Sequence, residues 1–287
     1  MSQTGGRGAG MGLAQVTARA VTPDQLLPYV EAVSGLQTRM FGSCVGHFCE
    51  GQVVLIGYPL DDPRDTASMD AAVAEALRMP GLEHITVLGP ARPANVPAGA
   101  QVSEDAYWTL PLPLPPAGQK LRNMLRRAAR DIVVTSGGAE AWGPEHSALV
   151  EAFCAGRTLD AGMLHIFRQL EGYLARARES RLFSARLADG TLVACALGDY
   201  SAFGTAFYMF AFRLPSAPPG TADALLAAVA AEGEARGHSV LNLGLGINGG
   251  ISFFKKKWGA SLFLPCVECG WDVRQEKKSW LARLLGR

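Results

Sequence analysis

The sequence has little charge, few aromatic residues and no long apolar run. Charged residues make up 18% of the chain, aromatic residues 8%, and the formal net charge is +1. A nearly neutral chain has no overall field that attracts DNA or an anionic membrane, so any such binding must be local. The apolar runs are far shorter than the ~20 residues of a membrane span. The Gly-rich start lacks the apolar core of a secretory signal. We therefore expect a cytoplasmic protein with a flexible tail over residues 1–14.

Cysteine is also sparse, with six residues in 287. Without a secretory signal, free thiols are the expectation. Cys266-x-x-Cys269 resembles a metal-binding spacing, but it lies in a strand-like run. Residues three apart on a strand face opposite sides, so the two thiols would not converge on a metal. We predict no metal site.

Hydrophobic residues make up 48% of the chain, enough for a substantial core. The hydrophobic patterns predict the order β-α-β-β-α-β-β, beginning with a strand over 15–19, and then β-α-α-β-β-β-α-β-α-β, with one helix over 163–178. A proline-rich run at 111–116 separates the two halves. We predict an α/β (α+β) fold with mixed central sheets flanked by helices, divided into domains 15–117 and 118–287. The last dozen residues predict a basic amphipathic helix, for which packing on its own domain is favoured over peripheral membrane contact.

A glycine-rich block near the end of the chain carries the functional signal. It reads L-N-L-G-L-G-I-N-G-G-I-S-F-F-K-K-K-W-G-A over residues 241–260. Gly244-x-Gly246-x-x-Gly249 matches the dinucleotide fingerprint, which would make the region a nucleotide-binding module. That fingerprint belongs at the first strand of a βαβ unit with a full helix after it. Here the following helix is only about two turns, so the nucleotide-binding module is the weaker alternative.

The same block resembles the closing segment of Fem-type peptidyl transferases and the catalytic domain of lysyl-phosphatidylglycerol synthases. Both groups lie within the GNAT (acyl-CoA N-acyltransferase) superfamily. The run K-L-R-N-M-L-R-R-A-A-R from Lys120 is similar to their basic helix. The resemblance covers roughly residues 120–271 and implies a tandem GNAT architecture, with the first half as a shortened copy.

The resemblance implies transfer of an activated acyl group to an amine or hydroxyl, with acyl-CoA or aminoacyl-tRNA as the donor and no required cofactor. The acceptor would be a small molecule, a peptide or a lipid headgroup. A non-catalytic GNAT-fold binding or scaffold protein is the alternative. The family's phosphate cradle uses free amides at a helix start. Here Pro215, Pro218 and Pro219 interrupt that segment and remove amides, which predicts weak acetyl-CoA binding.

Site residues follow from their positions in this scheme. A tyrosine could protonate a leaving group and an aspartate could accept an amine proton. The catalytic predictions are Asp199, Tyr200 and Tyr208, for which strand-end polarity and core packing are the alternatives. The donor-binding predictions are Arg213, Gly220, Thr221, Asn242, Gly244, Gly246, Asn248 and Lys255. Arg122, Arg126 and Arg130, the basic stripe, are predicted to bind anions, and a solvated helix face is the alternative.

Overall fold

The structure is a computed structural model that describes residues 12–273. The predicted tail lies almost wholly outside the described residues, as does the predicted amphipathic helix at the end of the chain. The chain divides by its contacts into two units. Unit 1 comprises residues 12–17, 36–104 and 267–273 of the described chain, and unit 2 comprises 18–35 and 105–266. The predicted domain boundary at 117/118 stays a prediction.

Unit 1 is a small mixed sheet with one helix. Its strands follow the order β1-β2-β3-β4-β11. All pairs are antiparallel except the parallel pair β3/β4. The elements are β1 Gln37–Phe41, β2 Cys44–Cys49, β3 Gln52–Ile56, α2 Thr66–Ala76, β4 His84–Gly89 and β11 Ser261–Asp272. Asp65 caps α2 by accepting hydrogen bonds from the amides of Ala67 and Ser68. The predicted hairpin around Gly51 is confirmed as β2 and β3.

Unit 2 contains the larger sheet, with the strand order β5-β10-β9-β8-β7-β6. Only the pair β9/β10 is parallel. The strands are β5 Gln101–Pro111, β6 Ile132–Gly137, β7 Ser180–Leu187, β8 Leu192–Asp199, β9 Thr205–Arg213 and β10 Val240–Leu245. The helices are α1 Leu27–Ser34, α3 Gln119–Asp131, α4 Pro144–Ala155, α5 Ala161–Arg168, α6 Leu170–Arg176, α7 Thr221–Ala235 and α8 Gly249–Lys257.

Helices cover both faces of the unit 2 sheet. One buried cluster joins α3 and α7 to the sheet, and a second joins α1, α4, α5 and α6 to it. β8 is buried over its full length because it lies between these two clusters. Of the predicted apolar face of α3, Leu121 and Ala128 are buried while Met124 and Leu125 are half-buried. The predicted fold class, mixed sheets flanked by helices, is confirmed.

Two element predictions are wrong. Residues 15–19 do not form a strand but lie in and between two 3-10 turns, Leu13–Gln15 and Thr17–Arg19. The amides of Gln15 and Val16 bond carbonyls three residues back, and the carbonyl of Ala18 accepts from the amide of Phe203 in a loop instead of from a strand. The predicted helix over 163–178 is two helices. At Gln169 the amide bonds the carbonyl of Ile166, 3.0 Å away, and this i→i−3 turn separates α5 from α6. β1 was not predicted at all.

Candidate functional site

The central parallel pair of the unit 2 sheet separates partway along its length. β9 and β10 pair only from Thr205/Val240 to Phe207/Asn242, although β9 continues to Arg213 and β10 to Leu245. Past Asn242, β10 also shifts its register against β5. The region beyond the last pair is called the strand gap below. In this stretch the edge of β9 that faces β10 has no strand partner within the described residues.

Tyr208 is the first β9 residue of the strand gap. Its ring is half-buried against the α3–α7 cluster. Its hydroxyl forms no hydrogen bond with another residue of the 12–273 range. Burial, with a smaller contribution from the charge of Asp223, raises the pKa of Tyr208. The phenol therefore stays protonated near neutral pH and can donate a hydrogen bond.

The glycine loop, residues 244–250, leads from β10 into α8. Asn248, predicted as a donor-binding residue, caps α8 by accepting from the amide of Ile251 at 3.0 Å. Asn242 accepts from the amide of Gly244 at 2.7 Å and donates from Nδ2 to the carbonyl of Val21 at 2.8 Å. Gly244 has φ 74°, a conformation that glycine adopts without strain. Both asparagines therefore use their side chains to shape the loop.

Lys255 lies beneath this loop and is buried. Its Nζ donates to the carbonyl of Gly244 at 2.9 Å and to that of Leu245 at 2.5 Å. Burial lowers the pKa of Lys255 to about 8, while the charge of Asp105 opposes that shift. The structure directs this ammonium to the loop carbonyls, so the role it supports is holding the loop.

Asp105 binds backbone amides of the same loop. Its Oδ1 accepts from the amide of Gly246 at 3.0 Å and its Oδ2 from that of Ile247 at 2.8 Å. Desolvation acts in the opposite direction, but these hydrogen bonds and the charge of Lys255 lower the pKa of Asp105. Ile247 is held at φ 56°, which directs its amide toward the carboxylate.

Two amides of the glycine loop, those of Gly246 and Ile247, are thus satisfied by the carboxylate of Asp105. A dinucleotide fingerprint requires such amides to face a pyrophosphate. With Asp105 in that place, the nucleotide-binding alternative loses its physical basis. No local pattern marked Asp105, because it lies 141 residues from Gly246 in the sequence.

The start of α7, where the family's phosphate cradle was expected, is also occupied by groups of the chain itself. The amide and hydroxyl of Thr221 both donate to the carbonyl of Pro218, at 3.2 and 2.7 Å. In the first helical turn, buried Asp223 accepts from Trp258 Nε1 at 2.9 Å and pairs with Lys257 Nζ at 2.5 Å. The carboxylate of Asp223 therefore lies at the positive end of the helix dipole.

Helix α3 covers the same helix start. A Cβ added to Gly220, which has φ 90°, would lie 2.7 Å from the carbonyl oxygen of Met124. Thr221 is fully buried, whereas Arg213 at the end of β9 is exposed. The residues present at this helix start do not fit a pyrophosphate.

The other two predicted catalytic residues are each bound by a group of the chain itself. The carboxylate of Asp199 is buried and accepts from Tyr173 Oη at 2.5 Å, on the side of the sheet covered by α6. The hydroxyl of Tyr200 donates to the carbonyl of Val229 at 2.9 Å and is therefore already satisfied. These contacts match the structural alternatives for both residues, and their catalytic roles stay predictions.

The basic stripe is solvent-exposed along α3. Arg122 donates to the carbonyl of Ala117 at 2.5 Å, and Arg126 approaches Asn123 at 3.5 Å. Within the described residues, no member of the stripe forms an ion pair. The stripe therefore presents uncompensated positive charge.

No group of three or more His, Cys, Asp or Glu in residues 12–273 could hold a metal ion. In the same range no helix combines the length and apolarity needed to cross a bilayer.

Neither the family models nor the curated proteins contain a match to this chain. Solved structures do match. The C-terminal domain of a putative lysylphosphatidylglycerol synthetase from Agrobacterium fabrum is 15% identical with a TM-score of 0.61, covering 90% of each chain. FemX is 11% identical with a TM-score of 0.62, covering 96% of this chain and 99% of FemX.

A tandem GNAT protein from the clavulanic acid biosynthesis pathway is 13% identical with a TM-score of 0.52, covering 91% of this chain and 93% of that one. At these identities the likeness concerns the fold. The similarity extends over nearly the whole chain in each case. The chain has a GNAT-like fold that resembles FemX and the lysylphosphatidylglycerol synthetase domain.

Proposed function

We propose that this chain is an acyltransferase that moves an aminoacyl group from an aminoacyl-tRNA to an amine or hydroxyl acceptor at the strand gap. The observation that carries the proposal is Tyr208, whose free hydroxyl lies where β9 and β10 separate. The transferase folds of FemX and the lysylphosphatidylglycerol synthetase domain support the reaction class.

The filled start of α7 supports an aminoacyl ester over acyl-CoA as the donor. A CoA pyrophosphate needs free amides at that helix start, and here the amide of Thr221 already donates to Pro218 and Asp223 places a carboxylate in the first turn. The basic stripe supplies charge for an RNA backbone without requiring that site. The acceptor class, a small molecule, a peptide or a lipid headgroup, is part of the same proposal.

In the proposed reaction the acceptor amine attacks the ester carbonyl. A nitrogen–carbon bond forms, the carbon–oxygen bond to the ribose breaks, and one proton passes from the amine to the departing hydroxyl. Tyr208 donates a hydrogen bond to the oxygen on which negative charge develops. The glycine loop forms a rigid border of the strand gap, because Lys255 binds its carbonyls and Asp105 binds its amides.

The test is transfer of a labelled amino acid from charged tRNA to a panel of amine and hydroxyl acceptors. We expect Tyr208→Phe to reduce transfer by roughly 10²–10⁴-fold with little loss of tRNA binding. Tyr29→Phe is the matched control, because it removes a phenol of similar burial on α1, on the opposite face of the sheet. Wild-type protein that binds charged tRNA without transferring to any acceptor would favour the non-catalytic alternative. Full activity of Tyr208→Phe would remove the proposed role of the hydroxyl.

A further inference from the structure

A carboxylate lies beside the strand gap on the face of the sheet that α1 covers. Asp24 belongs to a 3-10 turn, Pro23–Gln25, just before α1, and its side chain is half-buried. Its Oδ2 accepts a hydrogen bond from Tyr107 Oη at 3.0 Å. Tyr107 lies on β5 opposite Leu245, which follows the last β10 residue that pairs with β9. Since Trp108 packs in the α3–α7 cluster, Tyr107 projects to the other face, where α1 lies.

The turn that carries Asp24 is bound to the same end of the sheet. Asn242, the last β10 residue paired with β9, donates from Nδ2 to the carbonyl of Val21 at 2.8 Å. Within the turn, Gln25 Oε1 accepts from the amides of Val21 and Thr22 at 2.8 and 3.2 Å. The position of the carboxylate is therefore set by contacts on both sides of it in the sequence.

Aromatic rings from α1 and β9 border the same place. The ring centre of Tyr29 on α1 lies 5.9 Å from that of Phe210, which is on β9 past its last pair with β10. Both side chains are half-buried. Burial raises the pKa of Tyr29, and the charge of Asp24 raises it further, so the carboxylate lies close enough to act on this ring.

A carboxylate next to aromatic rings is suited to a particular kind of ligand. The rings attract a cation electrostatically, and the carboxylate accepts its N–H donors in charge-assisted hydrogen bonds. An ammonium group gains from both interactions, whereas a neutral hydroxyl gains from neither charge. Two other carboxylates of this region are less accessible, because Asp105 binds the glycine loop and Asp199 is buried against Tyr173.

We propose that Asp24 and the rings of Tyr29 and Phe210 form an ammonium-binding site, and that this site holds the acceptor amine of the transfer reaction. The assignment as the acceptor site rests on the proposed function, whereas ammonium binding does not. Tyr208 packs in the α3–α7 cluster, on the other face of the sheet. The acceptor and the hydroxyl that assists the reaction therefore approach the strand gap from different faces.

An acceptor bound as an ammonium must lose a proton before it attacks. In the proposed step Asp24 accepts that proton, and the resulting amine forms the nitrogen–carbon bond to the ester carbonyl. A second proton passes from the nitrogen to the ribose hydroxyl as its carbon–oxygen bond breaks. Asp24 then releases the first proton to water, so the net products are the amide, the uncharged tRNA and one proton.

Ligand-observed NMR with n-butylammonium tests the site without tRNA, and n-butanol is the matched neutral probe. We expect butylammonium to bind with a dissociation constant on the order of millimolar, and butanol at least about tenfold more weakly. Asp24→Asn removes the charge but keeps an oxygen that can accept from Tyr107, and it should weaken butylammonium binding at least about tenfold. Asp189→Asn, in an exposed turn of unit 2, is the charge-matched control and should bind like wild type.

Ring variants and the wild-type spectrum keep the test independent of folding defects. Phe210→Leu keeps an apolar side chain without the ring and should weaken butylammonium binding roughly two- to fivefold. Tyr29→Phe keeps its ring and should bind like wild type. In the wild-type protein, butylammonium should shift the NMR signals of Tyr29 and Phe210, and the same concentration of butanol should not.

The transfer assay with charged tRNA tests the role of the site in the reaction. Asp24→Asn should raise the KM for amine acceptors at least about tenfold and leave binding of charged tRNA unchanged. Equal binding of butylammonium and butanol, or an Asp24→Asn variant that binds butylammonium like wild type, overturns the site whether or not transfer occurs. An unchanged KM in an active enzyme overturns its role in holding the acceptor. Asp24-dependent ammonium binding in a chain that transfers nothing supports the site and overturns the proposed reaction instead.

Discussion

Lys255 and Asp105 bind the same glycine loop, Lys255 through backbone carbonyls and Asp105 through backbone amides. The ammonium binds two consecutive carbonyls, and the carboxylate binds the two amides that follow. Each ion thereby satisfies peptide groups that the turn cannot pair internally. The loop is fixed from both sides at the point where β10 has left β9.

Removal of Asp105 should release the loop amides. We expect Asp105→Ala to accelerate hydrogen exchange at Gly246 and Ile247, because both amides lose their acceptor. The measurement is amide exchange followed by NMR or mass spectrometry. Asp189→Ala, which removes an exposed turn aspartate bound to the amide of Thr191, is the control and should leave the loop unchanged. Equal exchange in Asp105→Ala and wild type would show that another group protects these amides.

The pKa of Lys255 predicts a distinct pH dependence of stability. Burial lowers it to about 8 from an ordinary value of 10.5. Between these values the unfolded chain binds more protons than the folded chain, so the free energy of unfolding rises with pH across that window. Urea unfolding of wild type and Lys255→Met from pH 7 to 10.5 measures the effect as a difference. We expect the wild type to gain relative to the variant above pH 8. A constant difference would contradict the lowered pKa.

Acetyl-CoA should bind weakly or undetectably. The amide of Thr221 is bonded to Pro218, and Asp223 occupies the first turn of α7. A pyrophosphate would meet a buried carboxylate where it needs donors, and the repulsion opposes binding. Calorimetry is the direct measurement. Micromolar affinity, with the pyrophosphate seated at the Thr221 helix start, would prove the expectation wrong.

The basic stripe should contribute counterion release if RNA binds along it. We expect Arg122→Ala with Arg126→Ala to lower tRNA affinity and to flatten its dependence on salt, because each lost phosphate contact removes up to about 0.9 from the logarithmic slope. Exposed substitutions of this kind usually change stability by less than about 0.5 kcal/mol. Arg168→Ala with Arg178→Ala, two exposed arginines elsewhere in unit 2, is the charge-matched control. An unchanged slope would show that the stripe is a solvated helix face that does not contact RNA.

Local sequence patterns predicted most elements of unit 2 correctly. The Asp189-Gly190 turn, the alanine-rich helix up to Gly237 and the short helix after the glycine loop all depend on neighbouring residues and their periodicity. The errors occurred where distant contacts decided the outcome. Residues 15–19 found no strand partner, and β1 depends on its pairing with β2. Such pairing energy cannot be read from a single short segment.

The resemblance of residues 241–260 to the Fem and lysyl-phosphatidylglycerol synthase block was readable because glycine spacing and a short amphipathic helix are local features. The same letters also matched a dinucleotide fingerprint. The choice between these two interpretations depended on which anion binds the loop amides. That anion is the carboxylate of Asp105, which lies on a strand distant in the sequence.

By itself, the sequence determined the mixed α/β class, the interrupted segment before α7 and the positions of Tyr208 and Lys255. Only the tertiary structure decided what these positions contact. It separated β9 from β10 beside Tyr208, turned Lys255 inward and brought Asp223 to Lys257 and Trp258. The physical reason is that a charge or a free hydroxyl acquires its role from its partners, and packing alone brings residues that are distant in sequence within hydrogen-bonding distance.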